Sequence, residues 1–145
     1  MAAAIALGDR GIGQTGNNPA VGCIIVKDGH IVGRGWTQKG GRPHAEAMAL
    51  GQAGDAATGS AIYVTLEPCA HDSARGPACA HLVAAARPAR VIIACQDPDP
   101  RTAGRGIAHL EQAGIKVETG VMEDDAREGM AGFFTRLQYG RPSVT

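Results

Sequence analysis

The chain has 145 residues, 44% of them apolar, which is enough for one compact domain with its own core. Lys plus Arg and Asp plus Glu each number 14, so the basic footprint of a nucleic-acid binder is missing. No apolar run is long enough to cross a bilayer, and Met1 to Leu7 lacks the basic start of a signal peptide. Membrane and nucleic acid are therefore not expected as partners, and the expected compartment is the cytoplasm. There thiols stay reduced, and the four cysteines are read as metal ligands, catalysts or core residues.

Residues 2–10 predict a short helix ending near Gly11, and Asn17-Asn18-Pro19 is loop chemistry. Val21 to Val26 and Ile31 to Trp36 are apolar, β-branched runs joined by Lys27-Asp28-Gly29-His30, whose Asp-Gly pair predicts an antiparallel hairpin. An Ala-rich helix is expected over 44–53, a third strand over Ala61 to Leu66 and a helix over 78–86. Val91 to Cys95 reads as a buried fourth strand, and Ile107, Leu110 and Ala113 as a helix stopped by Gly114. A fifth strand over Ile115 to Glu118 follows. Met122, Ala126, Met130, Phe133 and Leu137 then mark one last amphipathic helix. Strands alternating with helices predict an α/β fold: a mixed five-stranded sheet between two helical layers. Residues 1–139 form the expected domain, and 140–145 resemble a linker entering an uncompleted strand.

His44-Ala45-Glu46, Pro68-Cys69 and Cys79 each fall at a predicted strand-to-helix connection. Singly they are unremarkable: Glu46 suits any first helical turn, and free cysteines are often core. Together, one imidazole and two thiolates form a donor set suited to Zn²⁺, with a fourth position left for water. Glu46 lies close enough to move protons without being a ligand, the arrangement of zinc deaminases. Glu67 precedes Pro68 at a strand end and is the poorer candidate base. Cys23 and Cys95 lie in apolar strands and are read as core. His71 suits a fourth ligand, a substrate contact or a plain loop position, with substrate contact preferred. Asn18 offers a donor and an acceptor to a pyrimidine or ribose edge, or makes an Asx turn before Pro19. Arg75 suits a bidentate phosphate contact or a solvated loop charge, and Arg42, Arg101 and Arg105 are further phosphate candidates.

These motifs resemble a known family. Thr65-Leu66-Glu67-Pro68-Cys69-Ala70-His71 is similar to the zinc-site signature of the riboflavin-biosynthesis pyrimidine deaminases. Asn18-Pro19-Ala20-Val21-Gly22, Gly41-Arg42-Pro43-His44-Ala45-Glu46, Asp97-Pro98-Asp99-Pro100 and Gly104-Arg105-Gly106-Ile107 follow that family's order over nearly the whole chain. Cys69 and Cys79 stand one residue further apart than is usual, and Thr37, Asp99 and Asn17 replace a histidine, an asparagine and a proline. The resemblance implies a three-layer α-β-α cytidine-deaminase-like fold and a bound Zn²⁺. It also implies hydrolytic removal of the 2-amino group of 2,5-diamino-6-ribosylamino-4(3H)-pyrimidinone 5′-phosphate, a small pyrimidine nucleotide. A homo-oligomer and a fused C-terminal reductase domain in the full-length protein are further expectations from it. The alternatives are another zinc deaminase, acting on cytidine, guanine or tRNA adenosine, and a binding module with a structural zinc.

Overall fold

The structure is a computed structural model describing residues 1–16, 18–72 and 78–139, with side chains described to residue 135. Arg75, Asn17 and the tail 140–145 lie outside the described residues. The strands are β1 (Gly22–Lys27), β2 (His30–Trp36), β3 (Ala61–Leu66), β4 (Arg90–Cys95) and β5 (Lys116–Thr119). They form one sheet in the order β2-β1-β3-β4-β5. The pairs β1–β2 and β1–β3 are antiparallel, whereas β3–β4 and β4–β5 are parallel. The expected mixed five-stranded sheet is therefore present. The β1–β2 turn places Asp28 and Gly29 at φ 51° and 78°, the left-handed pair of a two-residue hairpin turn.

The helices are α1 (Ala2–Asp9), α2 (Ala45–Ala53), α3 (Cys79–Ala86), α4 (Arg105–Gln112), α5 (Glu123–Gly129) and α6 (Ala131–Tyr139), with a 3₁₀ turn at Gly54–Ala57. Helix α1 packs on the Ile24 side of the sheet, and α5 also contacts α1, β3 and β4. Helices α2 and α3 cover Cys23, Ile25, Ile62 and Val64 on the other side, and α4 lies beside α3 and β5. With so few aromatics, the core is built from Val, Ile, Leu and Ala; Ile25, Ile62, Val64, Val91 and Ile93 are all fully buried. Two strand glycines permit the close layer packing. A Cβ at Gly22 would overlap the Ala4 carbonyl of α1, and one at Gly35 the Ala45 carbonyl of α2. The second contact seats the N-terminus of α2 against the sheet, where His44 and Glu46 lie.

The single last amphipathic helix is not observed. It divides at Met130 (φ −114°, ψ 20°), giving α5 and α6. Gly129 ends α5, because glycine weakens a helix and favours termini. Ala126 and Met130 are buried as the pattern implied, but Met122 precedes α5 with φ 56° and is 41% exposed. Phe133, the third residue of α6, lines the cavity described next.

Candidate active site

His44 is the N-cap of α2, in an extended conformation (φ −71°, ψ 162°), and Glu46 is the second residue of that helix. Its neighbour in space, Cys79, is the first residue of α3, and Cys69 follows β3 after Glu67-Pro68. The ends of two helices and of the parallel strands therefore converge, which is where open α/β sheets place ligands. His44 Nδ1 lies 3.3 Å from Cys79 Sγ and 3.8 Å from Cys69 Sγ. The candidate donor atoms of all three residues lie within 4.8 Å of one another. Among the described residues this is the sole such group, and His71 is not part of it.

Both sulfurs are buried, and the first backbone N–H groups of α3 point towards Cys69. The Cys79 N–H donates to Cys69 Sγ at 3.1 Å, and the Ala80 N–H donates to the Cys69 carbonyl at 3.0 Å. A hydrogen bond from the Cys79 thiol, followed by those from His44 and the Cys79 amide, holds Cys69 down to about 4. The same pairing, with burial and the nearby Glu46, pushes Cys79 well up. Two adjacent thiols cannot both ionise unless a cation is present, and Zn²⁺ is a cation this N/S set fits.

Glu46 is 4% exposed and lines a cavity of about 320 Å³ beside the cluster. Burial raises its pKa to about 7; His44 opposes the shift, while Cys69 and Asp97 add to it. A carboxyl group poised near neutrality is suited to taking up and returning a proton. Asn18 and His71 line the same cavity. Asn18 bonds back to Thr15 rather than forward past Pro19: its Nδ2 donates to the Thr15 carbonyl at 3.5 Å, and its backbone carbonyl accepts from Thr15 Oγ1 at 2.6 Å. Its side chain packs over Gly41, where a Cβ would collide with it. His71 Nδ1 is 3.4 Å from Thr102 Oγ1.

Of the arginines, Arg42 and Arg101 line the cavity and Arg105 does not. Arg101 is held by Asp99 through Nη2–Oδ2 at 2.8 Å and Nε contacts at 3.2 Å, and its side chain is 68% exposed. Arg42 is half-buried and has no ion pair among the described residues. The Thr37 hydroxyl accepts from the Val21 N–H at 2.9 Å, so it is engaged in closing the first strand pair. Cys23 and Cys95 are buried, as expected.

Asp97 and Phe133 are among the cavity residues missed as site candidates from sequence. Asp97 was visible only as part of a quoted motif; it is 8% exposed, and burial foremost raises its pKa to about 6. Phe133 has the spacing of an ordinary core residue, and nothing in the sequence distinguishes a helix face that covers a cavity from one that covers a core.

The zinc-binding-region pattern described as "Cytidine and deoxycytidylate deaminase zinc-binding region" matches residues 1–95. The riboflavin biosynthesis protein RibD of Escherichia coli (strain K12) is 49% identical over 144 residues, covering 99% of this chain but 39% of the relative. The diaminohydroxyphosphoribosylamino-pyrimidine deaminase of Buchnera aphidicola subsp. Schizaphis graminum is 42% identical over 142 residues, covering 98% of this chain and 96% of the relative. Acinetobacter baumannii RibD (form 2) superposes with TM-score 0.93 at 48% identity, over 99% of this chain and 40% of that one. The chain thus spans about two-fifths of the length of the RibD relatives it matches.

Proposed function

The chain belongs to the cytidine and deoxycytidylate deaminase zinc-binding family, and from that premise we propose that it hydrolytically deaminates 2,5-diamino-6-ribosylamino-4(3H)-pyrimidinone 5′-phosphate. The observation that carries the proposal is the convergence of His44, Cys69 and Cys79 beside a cavity walled by the buried Glu46. The Buchnera deaminase, of which the chain covers 96%, supports this substrate over cytidine, guanine or tRNA adenosine.

His44 Nδ1 and the Cys69 and Cys79 sulfurs would hold the zinc. When bound, zinc supplies the Lewis acidity that brings water towards ionisation at neutral pH. Glu46 takes the proton of the attacking water, then returns protons to the ring nitrogen and to the departing amine. Its burial excludes bulk solvent and keeps its affinity for protons near the middle of the working range. Asn18 and His71 contact the substrate, and an arginine, Arg75 or Arg42, takes the phosphate. Three protein donors, rather than four, among the described residues favour this reading over a closed structural zinc site. Residues 1–139 form the deaminase domain, and the relatives' greater length supports a reductase domain following 140–145. No helix among the described residues is long and apolar enough to cross a membrane, in keeping with a cytoplasmic enzyme.

The test combines metal content with ammonia release. One zinc per chain, with ammonia released from the diaminopyrimidine nucleotide and not from cytidine or guanine, is the expected result. A zinc-loaded protein that releases no ammonia from the nucleotide would overturn the proposal.

A further inference from the structure

Glu67 has a position the proposed chemistry does not use. It is 2% exposed, at the end of β3, two residues before Cys69. Both carboxylate oxygens are occupied by backbone donors: Oε1 accepts from the Asp97 and Gly104 N–H groups at 3.1 Å each, and Oε2 from the Ile107 N–H at 3.0 Å. Asp97 and Gly104 belong to the connection from β4 into α4, and Ile107 is the third residue of α4 itself. Gly104 is the N-cap of α4 and has no side chain, so no side chain of that connection caps the helix. Its first free N–H groups are met by a carboxylate from a different strand instead, which the positive end of the helix favours. Gly106 makes the approach possible, because a Cβ there would overlap the Pro68 carbonyl and lie 3.2 Å from Glu67 Cγ and Oε2. A second tie runs alongside: Thr102, fully buried, accepts from the Ala70 N–H at 3.3 Å and contacts His71 at 3.4 Å.

We propose that Glu67 is a positioning residue that locks the β4–α4 connection to the strand end bearing Cys69, so that Asp97 is presented to the cavity at a fixed height above the ligand cluster. The inference rests on the deaminase reading only for its kinetic readout. Glu67 also lines the cavity, but both of its oxygens are engaged by backbone amides, which ties it to the β4–α4 segment rather than to a reacting water. Asp97 lines the cavity and is given no part in the proton transfer, so holding it bears on how the substrate is seated. Its loss should therefore be felt in KM.

Glu67→Gln keeps shape and volume but sets an amide NH₂ against one of the backbone N–H groups. Zinc content should stay at the wild-type level and kcat within about threefold, while KM for the nucleotide rises about tenfold, a change typical of one broken charged hydrogen bond. Amide exchange at Asp97, Gly104 and Ile107 should quicken about tenfold, with the β1 amides unaffected. A variant that melts earlier yet keeps wild-type KM and wild-type exchange at those amides overturns the proposal. So does a fall in kcat at unchanged KM, which would place Glu67 in the chemistry. The wild type provides a check that needs no variant to fold: fast exchange at these three amides would also overturn the lock. Should the wild type release no ammonia from the nucleotide, the functional reading fails, and the exchange data alone decide on Glu67.

Discussion

His44 Nδ1 and Cys79 Sγ stand 3.3 Å apart although 35 residues separate them in the chain. The one caps α2 and the other begins α3, so the pairing is set by how two helix N-termini are seated at the same end of the sheet. With Cys69 Sγ 3.8 Å from the same imidazole nitrogen, the fold brings all three donors to one place. Cys79→Ser replaces a soft donor with a hydroxyl that does not ionise in the working range. The variant should retain its fold, lose most of its zinc after dialysis and lose turnover in proportion. Cys23→Ser, at a buried core position, should keep the metal and cost stability instead. Metal analysis beside thermal melting separates the two results; a Cys79→Ser protein with a full complement of tightly held zinc contradicts the ligand assignment.

Glu46 leads to a different expectation, since the role proposed for it is to move protons and not to hold the metal. Glu46→Gln keeps the side chain's length and removes its proton affinity. Turnover should fall by about two to four orders of magnitude with zinc content unchanged, in line with the general contribution of a positioned acid–base group. Single-turnover ammonia release is the measurement, and a near-normal rate removes Glu46 from the mechanism.

The parts of this site that were legible in the sequence are those written as short local patterns. His44-Ala45-Glu46 and Pro68-Cys69 are contiguous, and Cys79 opens a helix whose period is visible. The Asp28-Gly29 turn, the parallel half of the sheet and the burial of Cys23 and Cys95 could be read for the same reason. Phe133 could not, because its meaning depends on the break at Met130, and an amphipathic pattern runs through that break without interruption; Gly129 was the available signal. Glu67 was rejected as a base from its place in the chain, but its hydrogen bonds to three distant amides are a property of loop geometry that no side-chain pattern records.

Phosphate recognition can be assigned among the arginines by how each is already occupied. Arg101 must surrender a bidentate ion pair with Asp99 before it can bind anything, and Arg105 lies away from the cavity. Arg42 lines the cavity without a partner among the described residues. Arg42→Ala should reduce kcat/KM for the nucleotide about tenfold or more and leave the phosphate-free nucleoside nearly unchanged, whereas Arg105→Ala should affect neither. Arg75→Ala is the matching experiment for the candidate outside the described residues. If the Arg42 variant loses equally on nucleotide and nucleoside, Arg42 is not the phosphate ligand.

Asp97 carries a pH dependence whose sign follows from its burial. Desolvation raises its folded-state pKa from the ordinary 3.8 to about 6, against the pull of the Asp99 N–H that donates to Oδ1 at 2.9 Å. Well below pH 3.8 the carboxyl group is protonated in both folded and unfolded chains, and the side chain favours neither. Between about pH 4 and 6 the unfolded chain ionises in water while the folded chain still resists, so folded stability declines as pH rises and levels off above the folded-state pKa. The shift corresponds to about 3 kcal/mol at its limit, taking 1.36 kcal/mol for each tenfold change in proton affinity. Asp97→Asn keeps an oxygen to accept the Asp99 N–H and removes the buried charge. Its melting temperature relative to the wild type should rise as pH increases from about 3 to 7, by several degrees at the limit, with the metal load matched between the two proteins. A constant difference across that range would mean that Asp97 is solvated like an ordinary surface carboxylate, and would remove burial as the reason for its shift.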